Sequence, residues 1–135
     1  MKLLIDTNII IDVLYARKPF VEDASKLFKC CELKMVDGYV LALSIPNIVY
    51  IMRKELGRKR ICQLIETLTT IFDIVDLKQA DLLKAASMDI NDYEDALQCT
   101  CAKRINADFI VTRNVRDYTK SAVPAIHPST LLKML

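Results

Sequence analysis

The sequence predicts an α/β fold built on a parallel sheet, and two observations predict it. Short, wholly apolar runs alternate along the chain with longer segments whose apolar residues recur every three or four positions, the pattern of doubly buried strands between amphipathic helices. The first two runs also pass directly into residue types that start helices. With 135 residues, 53% of them hydrophobic and 27% charged, the chain can bury a core without staples, and one domain over residues 1–135 is expected.

Residues 2–5 read as a short buried strand, and Asp6-Thr7-Asn8 as the start of a helix through residues 9–14. After the break at Arg17-Lys18-Pro19, the spacing of Val21, Ala24, Leu27, Phe28 and Cys31 predicts an amphipathic helix over about 22–33. Asp37-Gly38 is expected to turn the chain into a second strand over 39–43. Ser44 with Pro46 opens a third helix, which Leu56-Gly57 ends. A helix over about 58–69 follows, with Ile61, Leu64, Ile65 and Leu68 on one face, then a strand over 72–75. Residues 79–88 are read as helical with Leu82, Leu83 and Ala86 inward. Asn91 as cap with Glu94 three residues on has capping-box form and opens the helix of Ala96, Leu97, Cys99, Thr100 and Ile105. A fourth strand over 109–111, a short fifth over 123–126 and a closing helix over 128–135 complete the pattern.

Several function classes drop out. Only Gly38 and Gly57 are glycines, so neither a P-loop nor a dinucleotide-binding GxGxxG can be written. Five cysteines form no CxxC pair, and His127 is the sole histidine, which argues against zinc and for thiols of a reducing compartment. Charged residues interrupt every apolar stretch well before the roughly 20 residues that span a bilayer, and the start lacks the form of a signal peptide. No membrane association and a cytoplasmic location are therefore expected. The net charge of +2 is too small to announce nucleic-acid binding alone, but basic residues gather at Arg53-Lys54, Arg58-Lys59-Arg60, Lys103-Arg104, Arg113 and Arg116.

In an open α/β sheet the functional crevice lies beyond the carboxyl ends of the strands. Polar residues just past the apolar runs are Asp6, Thr7 and Asn8, then Ser44 and Asn47, then Thr112, Arg113, Asn114 and Asp117. Asp92, Glu94 and Asp95 join them from the start of the helix that precedes the fourth strand. Taken singly, these acids are helix caps, first-turn acids or turn residues. Together they repel, at about 4 kcal/mol per pair 4 Å apart with an effective dielectric near 20. Protonation, salt bridges or a cation must relieve that cost. Hard oxygen donors without imidazole or thiolate select Mg²⁺ or Mn²⁺.

Leu4-Ile5-Asp6-Thr7-Asn8-Ile9-Ile10, Glu94-Asp95-Ala96-Leu97-Gln98 and Ile110-Val111-Thr112-Arg113-Asn114-Val115-Arg116-Asp117-Tyr118 together resemble, in order and spacing, the PIN-domain family, most closely its VapC-like toxin ribonucleases. The resemblance runs from about Leu3 to Leu131. It implies a three-layer α/β/α sandwich with a central parallel sheet of four or five strands, and an Mg²⁺- or Mn²⁺-dependent endoribonuclease that leaves a 5′-phosphate and a 3′-hydroxyl. Residue by residue, Asp6 matches the first metal-binding acid, Asp95 the acid of the later helix, and Asn114 or Asp117 the acidic position after the fourth strand. Thr7, Asn8, Ser44 and Thr112 match orienting polar positions. The sequence departs from the pattern at Asn47, where many members carry glutamate, and at Asn114, where many carry aspartate.

The expected site thus has Asp6, Asp95 and Asp117 as metal ligands and Glu94 as a secondary ligand or base. Thr7, Asn8, Ser44, Asn47, Thr112 and Asn114 orient it, and Arg113, Arg116, Arg53 and Lys54 grip RNA. The resemblance further implies a homodimer and, in many members, an antitoxin protein as partner. A second reading, favoured by Asn47, is a catalytically silent PIN-like module that binds RNA or protein. A phosphoacceptor receiver domain is set aside, because the chain lacks paired acids after the first strand and a lysine after the last.

Overall fold

Parallel strands cannot be joined by tight turns, so each apolar run needs a crossover segment before the next can pair with it. The chain supplies five strands, β1 (Lys2–Ile5), β2 (Asp37–Leu41), β3 (Asp73–Val75), β4 (Phe109–Val111) and β5 (Ala125–Ile126), in a computed structural model that describes residues 1–135. They form one sheet in the order 3-2-1-4-5 with every pairing parallel. β1 lies at the centre, with Leu4 opposite Tyr39 of β2 on one side and Ile110 of β4 on the other. The chain winds outward from β1 to β3, then returns to the far side of β1 for β4. That reversal leaves a crevice at the carboxyl ends of β1 and β4.

Crossovers are made by α1 (Thr7–Leu14), α2 (Val21–Glu32), α3 (Ser44–Met52), α4 (Arg58–Ile71), α5 (Gln79–Ala86) and α6 (Tyr93–Arg104), with α7 (Pro128–Leu132) closing the chain. A short 3-10 helix, Val115–Tyr118, follows β4. Because strand side chains alternate between faces, β1 sends Leu3 and Ile5 into a core with α1, α2, α3 and α4, and Leu4 into a second core with α6. β2 splits Val40 from Leu41 in the same way, and β4 splits Val111 from Ile110. Two cores on one sheet are the expected α/β/α sandwich. No helix is long and apolar enough to cross a membrane.

The structure corrects three local expectations. Asp37-Gly38 is not a turn: both residues begin β2, opposite Lys2 and Leu3, and the chain reverses earlier, where Lys34 takes a φ of 59°. Glycine is required at position 38 for space, since a Cβ would lie 2.7 Å from Cys31 Sγ and 2.9 Å from Phe72 Cδ1. On α5 the inward face is Asp81 and Ala85, whereas Leu82, Leu83 and Ala86 are exposed. A charge pair sets that face: Arg104 donates to both Asp81 oxygens at 3.0 and 2.9 Å. Asp92, not Asn91, caps α6, its carboxylate accepting from the Asp95 N–H at 3.1 Å.

Candidate metal centre

Asp6 stands where β1 ends and α1 begins. Its N–H still belongs to the sheet, bonding to the Val111 carbonyl at 3.0 Å, while its carbonyl accepts from Ile9 N–H in the first turn of α1. The side chain is thereby fixed over the crevice between β1 and β4, 7% exposed. Thr112, fully buried just past β4, donates its hydroxyl to Asp6 Oδ2 at 2.8 Å and accepts from the Asn114 N–H at 3.0 Å. One hydroxyl therefore ties Asp6 to the backbone that leads on to Asp117. Burial pushes the Asp6 carboxyl above its ordinary range, against the opposing hydrogen bonds of Thr112, Thr7 and Asn8 and the charge of Arg113.

Asp95 enters from the first turn of α6. Tyr118, at the end of the 3-10 helix, is buried and donates its hydroxyl to Asp95 Oδ1 at 3.0 Å. Burial pushes the Asp95 carboxyl up to about 6; the tyrosine bond works downward, and the nearby charges of Asp92, Asp6 and Asp117 push it further up. The Tyr118 hydroxyl is raised as well, by burial first and then by the negative charge of Asp6 and Asp95.

Two adjoining clefts meet at Asp92 and Asp95. One, of about 320 Å³, is bordered by Asp6, Thr7, Asn8, Asn47 and Glu94, with Tyr50 and Ile51 at its lip. The other, of about 440 Å³, is bordered by Asp89, Arg116 and Asp117. Asp6 and Asp95 thus face a common space, and Asp117 approaches Asp95 from the second side. No group of three or more acid, histidine or cysteine side chains is placed so that it could hold a metal ion, so the expected trio of Asp6, Asp95 and Asp117 is not assembled as one three-ligand site. The donor set is hard oxygen throughout, it is open to solvent, and it holds more negative charge than its surroundings neutralise. Those properties fit a hydrated Mg²⁺ or Mn²⁺ rather than zinc.

The remaining expected residues take distinct places. Ser44, buried at the start of α3, shares a 2.6 Å hydrogen bond with the Thr7 hydroxyl, so it braces the turn after β1. Asn47 donates its amide to Glu94 Oε1 at 3.1 Å across the first cleft. Arg116 borders the second cleft. Arg53 lies with its guanidinium 3.7 Å from the centroid of the Tyr50 ring, and Lys54 is exposed just beyond α3. Arg113 is committed elsewhere: it donates to both oxygens of Asp12 at 2.6 and 3.1 Å and lies over the Phe20 ring at 4.0 Å.

Two residues of this neighbourhood had no role in the reading of the sequence. Asp12 is completely buried in α1, where Arg113 satisfies it. Its signal was an acid in the middle of Ile9-Ile10-Ile11-Asp12-Val13-Leu14, since such a group is hardly ever fully buried without a partner. Tyr118 belongs to the quoted motif, but nothing in the spacing links it to Asp95.

A family model for the PIN domain matches residues 2–116. Three solved structures are similar across the chain. FitAB bound to the IR36 DNA fragment superposes with a TM-score of 0.68 at 19% identity, covering 93% of this chain and 94% of that one. VapBC2 from Rickettsia felis, bound to a DNA fragment from its promoter, gives 0.65 at 14% identity, covering 94% and 98%. DNA-bound VapBC from Salmonella typhimurium gives 0.70 at 16%, covering 95% and 98%. At such identities the likeness is one of fold. No curated protein matches by sequence.

Proposed function

The chain belongs to the PIN-domain family, in general metal-dependent nucleases, and on that premise we propose that it is an Mg²⁺- or Mn²⁺-dependent endoribonuclease, the toxin of a toxin-antitoxin pair or a stand-alone relative. The observation that carries the reading is the pairing of Asp6 with Asp95 across one cleft. These acids come from opposite parts of the chain, and both are held above their ordinary pKa by burial, which at Asp6 outweighs the opposing charge of Arg113.

Asp6 and Asp95 are the principal ligands of the proposed site, and Asp117 reaches it through water from the adjoining cleft. Such an ion supplies a water of lowered pKa and offsets charge on the phosphate when bound. The chain's own groups do the rest. Thr112 and Tyr118 donate to Asp6 and Asp95 and so fix the direction of both carboxylates. Ser44 and Thr7 hold the turn on which Asp6 and Asn8 stand. Asn47 orients Glu94, whose second oxygen is left to accept a proton from water. Arg116, with Arg53 and Lys54 further out, offers positive charge to the RNA backbone; Arg113 is occupied by Asp12 and acts on the loop instead.

The neighbours are FitAB and VapBC assemblies, which supports an antitoxin partner for this chain; the homodimer rests on the family resemblance alone. The silent-module reading draws on Asn47, a neutral residue that spends its amide on Glu94. One experiment decides between them. Asp6→Asn should abolish Mn²⁺-dependent cleavage of single-stranded RNA while the melting temperature without metal at neutral pH does not fall. Unaltered cleavage by this variant would sink the proposal, and a wild-type chain neither cutting RNA nor stabilised by Mn²⁺ would remove the nuclease reading and leave the silent module.

A further inference from the structure

A second charged surface adjoins the acidic clefts and has no part in the reading above. A groove of about 490 Å³ runs between α5 and α6 and along the segment after Tyr118. Lys84, Lys103, Arg104 and Lys120 line it against one acid, Asp81, which is buried and already satisfied by both donors of Arg104. Lys84 and Lys103 enter no ion pair. Two unneutralised ammonium groups therefore border one concave surface, a placement that concentrates anions.

The groove is continuous with the candidate cation site. Lys120 borders both the groove and the cleft that holds Asp95 and Asp117, and pairs there with Asp89. The floor offers no competing chemistry. The Thr100 hydroxyl donates to the Ala96 carbonyl at 2.8 Å, and burial pushes the Cys99 thiol up, away from the reactive thiolate. A polyanion lying in the acidic clefts would meet favourable charge in this direction, and carboxylates in the clefts themselves.

We propose that this groove binds the backbone of the RNA strand on one side of the bond that is cut, with successive phosphates on Lys84 and Lys103 and Lys120 at the crossing. The proposal rests on the ribonuclease reading and adds to it a path for the substrate. Lys84→Gln with Lys103→Gln tests it, because both side chains are exposed and glutamine suits a helix as well as lysine does. Binding of a labelled single-stranded RNA is measured by fluorescence anisotropy without metal, across a salt series. The slope of log K against log salt should shrink by about 1.4, from about 0.7 for each phosphate no longer contacted.

With metal present, the double variant should show a several-fold higher KM for the long RNA at unchanged kcat, and wild-type turnover of a dinucleotide too short to reach the groove. A wild-type slope and KM in the double variant overturn the groove alone. Loss of inorganic phosphate binding by a variant that keeps the wild-type RNA slope identifies a free-anion site and also overturns it. If wild type binds RNA through these lysines but cuts none, the nuclease reading falls and the groove stands. A chain that neither binds nor cuts RNA removes both.

Discussion

Replacing Asp95 with asparagine should make the metal-free protein more stable at neutral pH while removing its response to divalent metal. From an ordinary 3.8, the Asp95 carboxyl is pushed up to about 6. Between those values the folded chain holds a proton that the unfolded chain has lost, so stability present at pH 4 drains away as the pH rises through 6. At about 1.4 kcal/mol per pH unit the difference is about 3 kcal/mol before screening. Because the carboxyl borders an open cleft, water screens much of that, leaving about 1 to 1.5 kcal/mol. An asparagine has the same shape, keeps an oxygen for the Tyr118 hydroxyl and carries no charge at any pH. Urea or thermal melts with a chelator at pH 4, 6 and 8 check this. The variant should melt roughly 3 to 8 °C above wild type at pH 8, and the gap should close near pH 4. Added Mn²⁺ should stabilise wild type alone. A variant no more stable than wild type at pH 8, or an advantage that persists undiminished at pH 4, would refute the reasoning.

Tyr118→Phe leaves Asp95 without its donor and should cost about 1 kcal/mol. Since the lost bond held the Asp95 carboxyl down, the pH at which Mn²⁺ begins to stabilise the protein should move upward, as read by melting across pH. Asp12→Ala strands the Arg113 guanidinium and should cost about 3 kcal/mol in urea unfolding; a loss under 1 kcal/mol would mean that the pair does not hold the loop after β4. Gly38→Ala forces a Cβ against Cys31 and Phe72 and should cost about 1 to 3 kcal/mol by thermal melting, whereas Gly57→Ala, with open space around it, should be near neutral.

What the sequence made legible follows from which interactions are local. Strand ends and helix starts are set by neighbours in the chain, so Asp6, Thr7 and Thr112 could be placed at one end of the sheet from their position after apolar runs. The path of α5 could not be read that way: Leu82 and Leu83 look inward by composition, yet Asp81 turns the helix because its partner Arg104 lies on α6. Gly38 looked like a turn because its reason for being glycine is the proximity of Cys31 and Phe72, which only the tertiary fold creates. In the candidate site, the acids were visible as types, while the donors that aim them were partly hidden. Thr112 lay beside its strand, but Tyr118 reaches Asp95 across the end of α6, and Asn47 meets Glu94 across a cleft.

The seam between the ends of β1 and β4 also governs when the molecule can act. Asp6 is tethered through its backbone to Val111 and through its carboxylate to Thr112, so residues translated first wait for residues translated near the last before their geometry exists. A nascent chain emerging only as far as β3 has the first acid and none of its companions. The aim of the first acid is therefore set only once β4 has docked beside β1.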